Sequence, residues 1–111
     1  MALWLNGALL GLTCNRSNFV KSSPQPASVP QILHPTQSQL TIPHHDWIDR
    51  FPFPKWRDNL ILLSYVIDSG ELFKDFFTMR SFTLKEGALA WDPQAWEMSP
   101  DFQEKWGYLF Y

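Results

Sequence analysis

The chain has 111 residues, 45% apolar and 18% charged, and nine basic side chains against eleven acidic ones give a net charge of −2. That length supports one small domain, and that composition excludes wholesale disorder. The Lys and Arg residues are scattered rather than clustered, which counts against direct nucleic-acid contact by this chain but not against a role beside a DNA-binding partner.

Six tryptophans, nine phenylalanines and three tyrosines are many for a chain this short. Each aromatic side chain buries a large area, so such a chain can compensate for its size with rings. The same rings can line a recognition groove. The single cysteine, Cys14, allows no internal disulfide and no paired-cysteine zinc site, and fits a reducing compartment.

Residues 1–20 open with an apolar segment, MALWLNGALLGL. No Lys or Arg precedes Arg16, so the charged start of a signal peptide is missing, and the run is too short to span a bilayer. The reading is a short amphipathic helix or the stump of a longer one. The sequon Asn15-Arg16-Ser17 would matter only in a secreted chain.

Residues 21–42, with Pro43 after them, form a linker rich in Pro, Ser and Gln. Five prolines over 21–43 favour extended or polyproline-like backbone over a packed element. Residues 43–111 form the aromatic-rich domain. Pro54 opens a helix over 54–67, with Trp56, Leu60, Leu63 and Ile67 as its apolar stripe. Asp68 caps a second helix with Glu71 three residues on, and Leu72, Phe73, Phe76 and Phe77 supply its apolar face. Ser81 to Leu84 suits a short strand, with Lys85-Glu86-Gly87 as its turn. Asp92-Pro93 and Ser99-Pro100 each pair an N-cap with proline at the first helical position, which predicts helices over QAWEM and over DFQEKWGYLFY. The fold class is mainly α, a small irregular helical domain with long proline-rich extended segments and one short hairpin. Trp47, Trp56, Trp91, Trp96 and Trp106 are its packing residues.

The stretch PHHDWIDRFPFPKWRDN, residues 43–59, concentrates potential chemistry. His44, His45, Asp46 and Asp49 carry metal-ligand atoms, but adjacent residues in extended backbone point to opposite sides, so they make a poor ligand set. One imidazole then packs locally and the other faces water. Among Asp46, Asp49, Asp58 and Asp92 no spacing singles out a catalytic carboxylate pair. Ser64 and Ser69 lack the strained turn of a nucleophile. No catalytic residue, cofactor or metal is therefore assigned. Arg57 and Asp58, with Asp49 and Arg50 nearby, suit either a buried ion pair that docks the proline segment or a solvated surface pair. Phe51 and Phe53, alternating with Pro52 and Pro54, favour inward packing over display to a partner.

Four blocks carry a resemblance. They are P-T-x-x-Q-L at Pro35 to Leu40, H-x-W-I-D at His45 to Asp49, P-F-P-x-x-R-D-N-L at Pro52 to Leu60, and W-D-P-x-A-W-E-x-S-x-x-F-x-x-K-W at Trp91 to Trp106. Over about residues 30–111 the chain resembles an uncharacterised fungal domain found C-terminal to the basic region of many basic-leucine-zipper-type transcription factors. The resemblance implies a non-catalytic regulatory or interaction module, a nuclear location, a protein partner and no cofactor. Its signature falls on His45, Trp47, Asp49, Phe51, Phe53, Arg57, Asp58, Trp91, Trp96 and Trp106. This chain carries no basic region and no leucine heptads, so DNA binding does not transfer, and a stand-alone paralogue and a shortened gene product both fit. The alternative class is a small-molecule-binding or enzymatic domain with an aromatic pocket, followed by a small secreted protein.

Overall fold

Capping residues and prolines mark where four of the five helices among the described residues begin. In the computed structural model of the protein, residues 2–12, 19–64, 66–79 and 81–110 are described. Cys14 and the sequon Asn15-Arg16-Ser17 lie outside them. Five α-helices and two small two-stranded sheets are present among the described residues, so the fold is mainly α with short hairpin-like pairings.

Helix α1 spans Ala2–Leu10. Strand β1, Phe19–Val20, pairs antiparallel with β2, His44–His45. Between them lie a 3-10 turn at Gln31–Leu33 and helix α2, Gln37–Thr41. The proline-rich stretch is therefore more structured than its composition predicts. The reason is local: the Thr36 hydroxyl accepts the Gln39 N–H, and the Gln39 side chain accepts the Thr36 N–H, a reciprocal capping box that starts a helix. Leu33 and Gln39 are both buried.

A 3-10 turn, Asp46–Arg50, leads to α3, Pro54–Leu62, with proline in its first turn. This helix stops short of the predicted 67. Leu63 becomes its C-cap, and Leu62 and Leu63 are exposed while Ile61 and Ile67 are buried. The chain leaves the helix so that Ile67 can return to the core through a turn, in which the Val66 and Ile67 N–H groups donate to the Leu63 carbonyl. Helix α4, Ser69–Thr78, starts where predicted, with the Asp68 carboxylate accepting the Glu71 N–H at 3.0 Å. Leu72 faces the core, but Phe73 is 46% exposed; the Phe77 side chain lies outside the described ones.

Strand β3, Phe82–Leu84, pairs with β4, Trp96–Met98, in the register Phe82 to Met98 and Leu84 to Trp96. Gly87 takes a positive φ of 75° in the connecting turn. The helix predicted over QAWEM is replaced by one 3-10 turn, Pro93–Ala95, and then β4. Asp92 still caps, accepting the Gln94 N–H, but pairing with β3 buries Trp96 beside Phe82, which a helix there would not do. Helix α5, Pro100–Trp106, is capped by Ser99 as predicted and runs into a 3-10 turn at Gly107–Phe110.

The core is built from rings. Phe51 lies edge-on to Trp56 at 4.1 Å and to Phe76 at 5.2 Å, and Trp56 stacks on Phe110 at 5.0 Å. Phe53 packs on Phe82, Trp96 and Phe110, so both phenylalanines of FPFP turn inward. Such contacts add about 0.5–1.5 kcal/mol each beyond area burial. Trp56, Trp96 and Trp106 are buried and Trp47 packs against them from the rim, whereas Trp91 is only half-buried and stands outside this core. Lys105 clasps α4 to α5, with its ammonium 2.6 Å from Glu71 and 2.7 Å from Asp75. The bond from Lys105, helped by one from the Trp106 indole, holds the Asp75 carboxyl below its ordinary range.

Trp56 is fully buried, so Trp56→Ala is expected to destabilise the fold by about 3–5 kcal/mol in urea denaturation. Tyr108→Ala, at a site 57% exposed, is expected to change stability by less than about 0.5 kcal/mol.

Candidate interaction surface

The stretch 43–59 divides its side chains between inside and outside. Because β2 is extended, His44 and His45 face opposite ways: His44 is 4% exposed and His45 is on the surface. His45 belongs to a row of rings that is exposed except at the half-buried Trp47. Phe19 meets it edge-on at 5.3 Å, Trp47 stacks against it at 6.5 Å, and Trp47 in turn meets Phe73 at 5.5 Å. Phe19 is 65% exposed. Beside this row lies an apolar groove floored by Ile48, Leu60, Ile61 and Leu72 and edged by Pro43 and Ser64. It holds about 40 Å³ of free space. Sites for drug-sized ligands are typically about 300–1,000 Å³, so this groove accepts single apolar side chains rather than an enclosed small molecule.

Beneath the row the inward-facing groups form a buried polar cluster. The Ser22 hydroxyl donates to one Asp49 oxygen at 2.6 Å, and the Gln39 amide donates to the other at 2.8 Å. The His44 ring places Nε2 2.8 Å from Asp49 and 3.1 Å from Ser22, and Nδ1 2.7 Å from the Ile42 carbonyl. Burial alone would lower the His44 pKa. The bond to Asp49, the bond to the Ile42 carbonyl and the charges of Asp49 and Asp46 outweigh it, and the pKa is raised above 6.5. Both ring nitrogens face acceptors, which suits an imidazolium.

Ser, His and Asp are also the residues of a hydrolytic triad, but the arrangement differs. In a triad, one ring nitrogen takes the serine proton and the other donates to the carboxylate. Here Ser22 and Asp49 share Nε2, and the serine proton points at Asp49. The cluster ties the segment after β1 to α2, to β2 and to the turn after it, and bonds the serine hydroxyl to the carboxylate. Among the described residues, no group of three or more His, Cys, Asp or Glu side chains could hold a metal ion, and no helix is long and apolar enough to cross a membrane.

Arg57 and Asp58 both hold the proline-rich segment, but not as a pair. The fully buried Arg57 guanidinium donates to the Ile32 carbonyl at 2.7 Å and the Leu33 carbonyl at 3.4 Å. Burial pushes its pKa down to about 10, against the opposing pull of Asp49 and Asp58, so it stays charged at neutral pH. Asp58 accepts the Thr36 hydroxyl at the start of α2. Arg50 reaches the other way, donating to the Leu3 carbonyl of α1.

Residues 16–111 match a family described as "Domain of unknown function (DUF3425)". The chain belongs to this family. No curated protein and no solved structure matches it. The matched stretch of this DUF3425 domain contains both the ring row and the polar cluster. Of the ten signature positions, Asp49, Arg57 and Asp58 are polar anchors, and Phe51, Phe53, Trp96 and Trp106 are core. His45 and Trp47 belong to the surface row, and Trp91 joins neither group. Sequence reasoning did not assign Ser22, Gln39 and His44 to the cluster, nor Phe19 to the surface. The Thr36-to-Gln39 capping spacing was the readable signal for Gln39; Ser22 and Phe19 are brought in by long-range pairing and had none.

The His44 pKa is raised on folding, so its stabilisation is full below the unfolded value of about 6.5 and is lost as pH rises through the folded value. Urea midpoints of the intact chain are expected to fall across that window, and His44→Asn is expected to flatten the change. Arg57→Met leaves the Ile32 and Leu33 carbonyls without their donor. It is expected to cost about 1–3 kcal/mol and to speed amide exchange at Leu33 and His34 before the core exchanges.

Proposed function

We propose that this DUF3425 domain is a non-catalytic docking module of fungal transcription regulators of the basic-leucine-zipper type, acting in the nucleus through a protein partner rather than through DNA. The observation that carries the reading is the row of Phe19, His45, the half-buried Trp47 and Phe73 beside a shallow apolar groove. Rings gathered beside an apolar groove are the kind of surface that marks a protein contact, and a groove of about 40 Å³ suits the side chains of a short apolar peptide segment. The four sequence blocks supply the transcription-factor context, and the scattered basic residues favour a protein partner over the phosphate backbone. The non-catalytic part is supported by the cluster, where the Ser22 hydroxyl donates its hydrogen bond to Asp49 rather than to a ring nitrogen.

The immobilised chain is expected to capture basic-leucine-zipper factors or their co-regulators from fungal nuclear extract, identified by mass spectrometry. The double substitution Phe19→Ser with Phe73→Ser, at row positions 65% and 46% exposed, is expected to reduce capture at least about tenfold with little change in melting temperature. Capture of no such factor, or equal capture by the folded variant, would refute the reading. A small molecule that raises the melting temperature and occupies the groove would favour a ligand-binding domain instead.

A further inference from the structure

The segment Lys21 to Pro26 is held by the fold on one side only. Ser22 faces in: its N–H donates to the Gln39 carbonyl at 2.9 Å and its hydroxyl to Asp49. Ser23 faces out, exposed, and its hydroxyl has no hydrogen-bond partner among the described residues. Residues 21–26 have no regular secondary structure. Pro24 biases Ser23 toward extended backbone, and Pro26 keeps the chain after it stiff. An accessible serine in extended chain, followed directly by proline, is the form a proline-directed protein kinase accepts.

We propose that Ser23 is a phosphorylation site for a proline-directed protein kinase, and that the phosphoryl group loosens the attachment of Ser22 to Asp49. The chain holds a second Ser-Pro pair, and it serves as an internal contrast. Ser99 is the N-cap of α5: its Oγ accepts the Phe102 N–H at 3.3 Å and donates to the Met79 carbonyl at 3.5 Å. Ser99 is itself extended, but Pro100 is the first helical residue, so the chain after the serine cannot follow an extended course without unwinding α5. Ser22 is likewise closed to a kinase while Asp49 holds its hydroxyl.

In the transfer, Ser23 Oγ attacks the γ-phosphorus of a nucleoside triphosphate bound to the kinase. An Oγ–P bond forms and the bond from that phosphorus to the β,γ-bridging oxygen breaks. The hydroxyl proton passes to the kinase's base, and a nucleoside diphosphate leaves. The product adds about 1.5–2 negative charges one residue from a cluster that already holds carboxylates. Facing that cluster are Asp46 and Asp49 from the turn after β2 and Asp58 from α3, against the cations His44 from β2 and Arg57 from α3. Lys21, exposed on the same segment, is the basic residue nearest in sequence. The added charge lies one residue from Ser22, whose hydroxyl Asp49 holds, so it repels that carboxylate and opposes the contact that holds this segment. The site stands independently of what the surface groove binds.

The test is to incubate the full chain with ATP and a cyclin-dependent kinase, and in parallel with a mitogen-activated kinase, then to map phosphate by mass spectrometry. Phosphate on Ser23 of the folded chain is expected, none on Ser99, and none in Ser23→Ala, a substitution at an exposed site. Amide exchange at Ser22 is expected to quicken roughly fivefold in the phosphorylated chain, with core amides unchanged. Absence of phosphate on Ser23 with both kinases, preference for Ser99, or an unchanged Ser22 exchange rate after full phosphorylation would overturn the proposal.

Discussion

The arrangement of the domain depends on one buried cation. The Arg57 guanidinium sits inside α3 with no exposed surface and points at the carbonyls of Ile32 and Leu33. Taking a guanidinium out of water is costly, and an unpaired buried charge is worse. Two backbone oxygens, with Asp49 and Asp58 close enough to act on its charge, offset that cost. Among the described residues its Nε has no hydrogen-bond partner, so the group is held by few bonds. Once Arg57 fixes the turn at Gln31–Leu33, Thr36 meets Asp58, α2 starts, and Gln39 comes within reach of Asp49. Each polar anchor places the next.

The ring core imposes a different kind of order. Phe51, Trp56, Phe82, Trp96 and Phe110 meet at centroid distances of 4.1 to 6.4 Å in mostly edge-to-face geometry. This geometry constrains β4. Its residues carry good helix-start signals, yet Trp96 must stand beside Phe82, and the strand pairing satisfies that where a helix would not. Large apolar area overrides a local preference worth about 1 kcal/mol.

What the sequence shows clearly is whatever local chemistry decides. The starts of α3, α4 and α5 lie at Pro54, Asp68 and Ser99, and each is legible because capping acts within one turn. The end of α3 is not legible, because Leu62 and Leu63 continue the apolar stripe and only tertiary packing turns the chain toward Ile67. The inward course of Phe51 and Phe53 could be read from the rigidity of FPFP. Composition misdescribed residues 21–43, since prolines suggest extension while a single Thr-x-x-Gln spacing starts a helix among them. Of the surface row, His45 and Trp47 are already signature positions in the sequence, though Trp47 reads as a packing residue too. Phe19 and Phe73 are not, because β1 joins the row through a strand pairing between residues 24 and 26 positions apart in sequence, and Phe73 looks like a core position on α4.

The β1–β2 pairing has only two residues in each strand. A ladder that short does little to fix register, and a slip of one residue would exchange the faces of His44 and His45. Position is instead specified by the bonds among Ser22, His44 and Asp49, which can form in one register only. The strap is therefore a keyed latch, selective in where it closes because its contacts are polar and directional. It is also separable from the ring core, since opening it would break hydrogen bonds without uncovering Trp56.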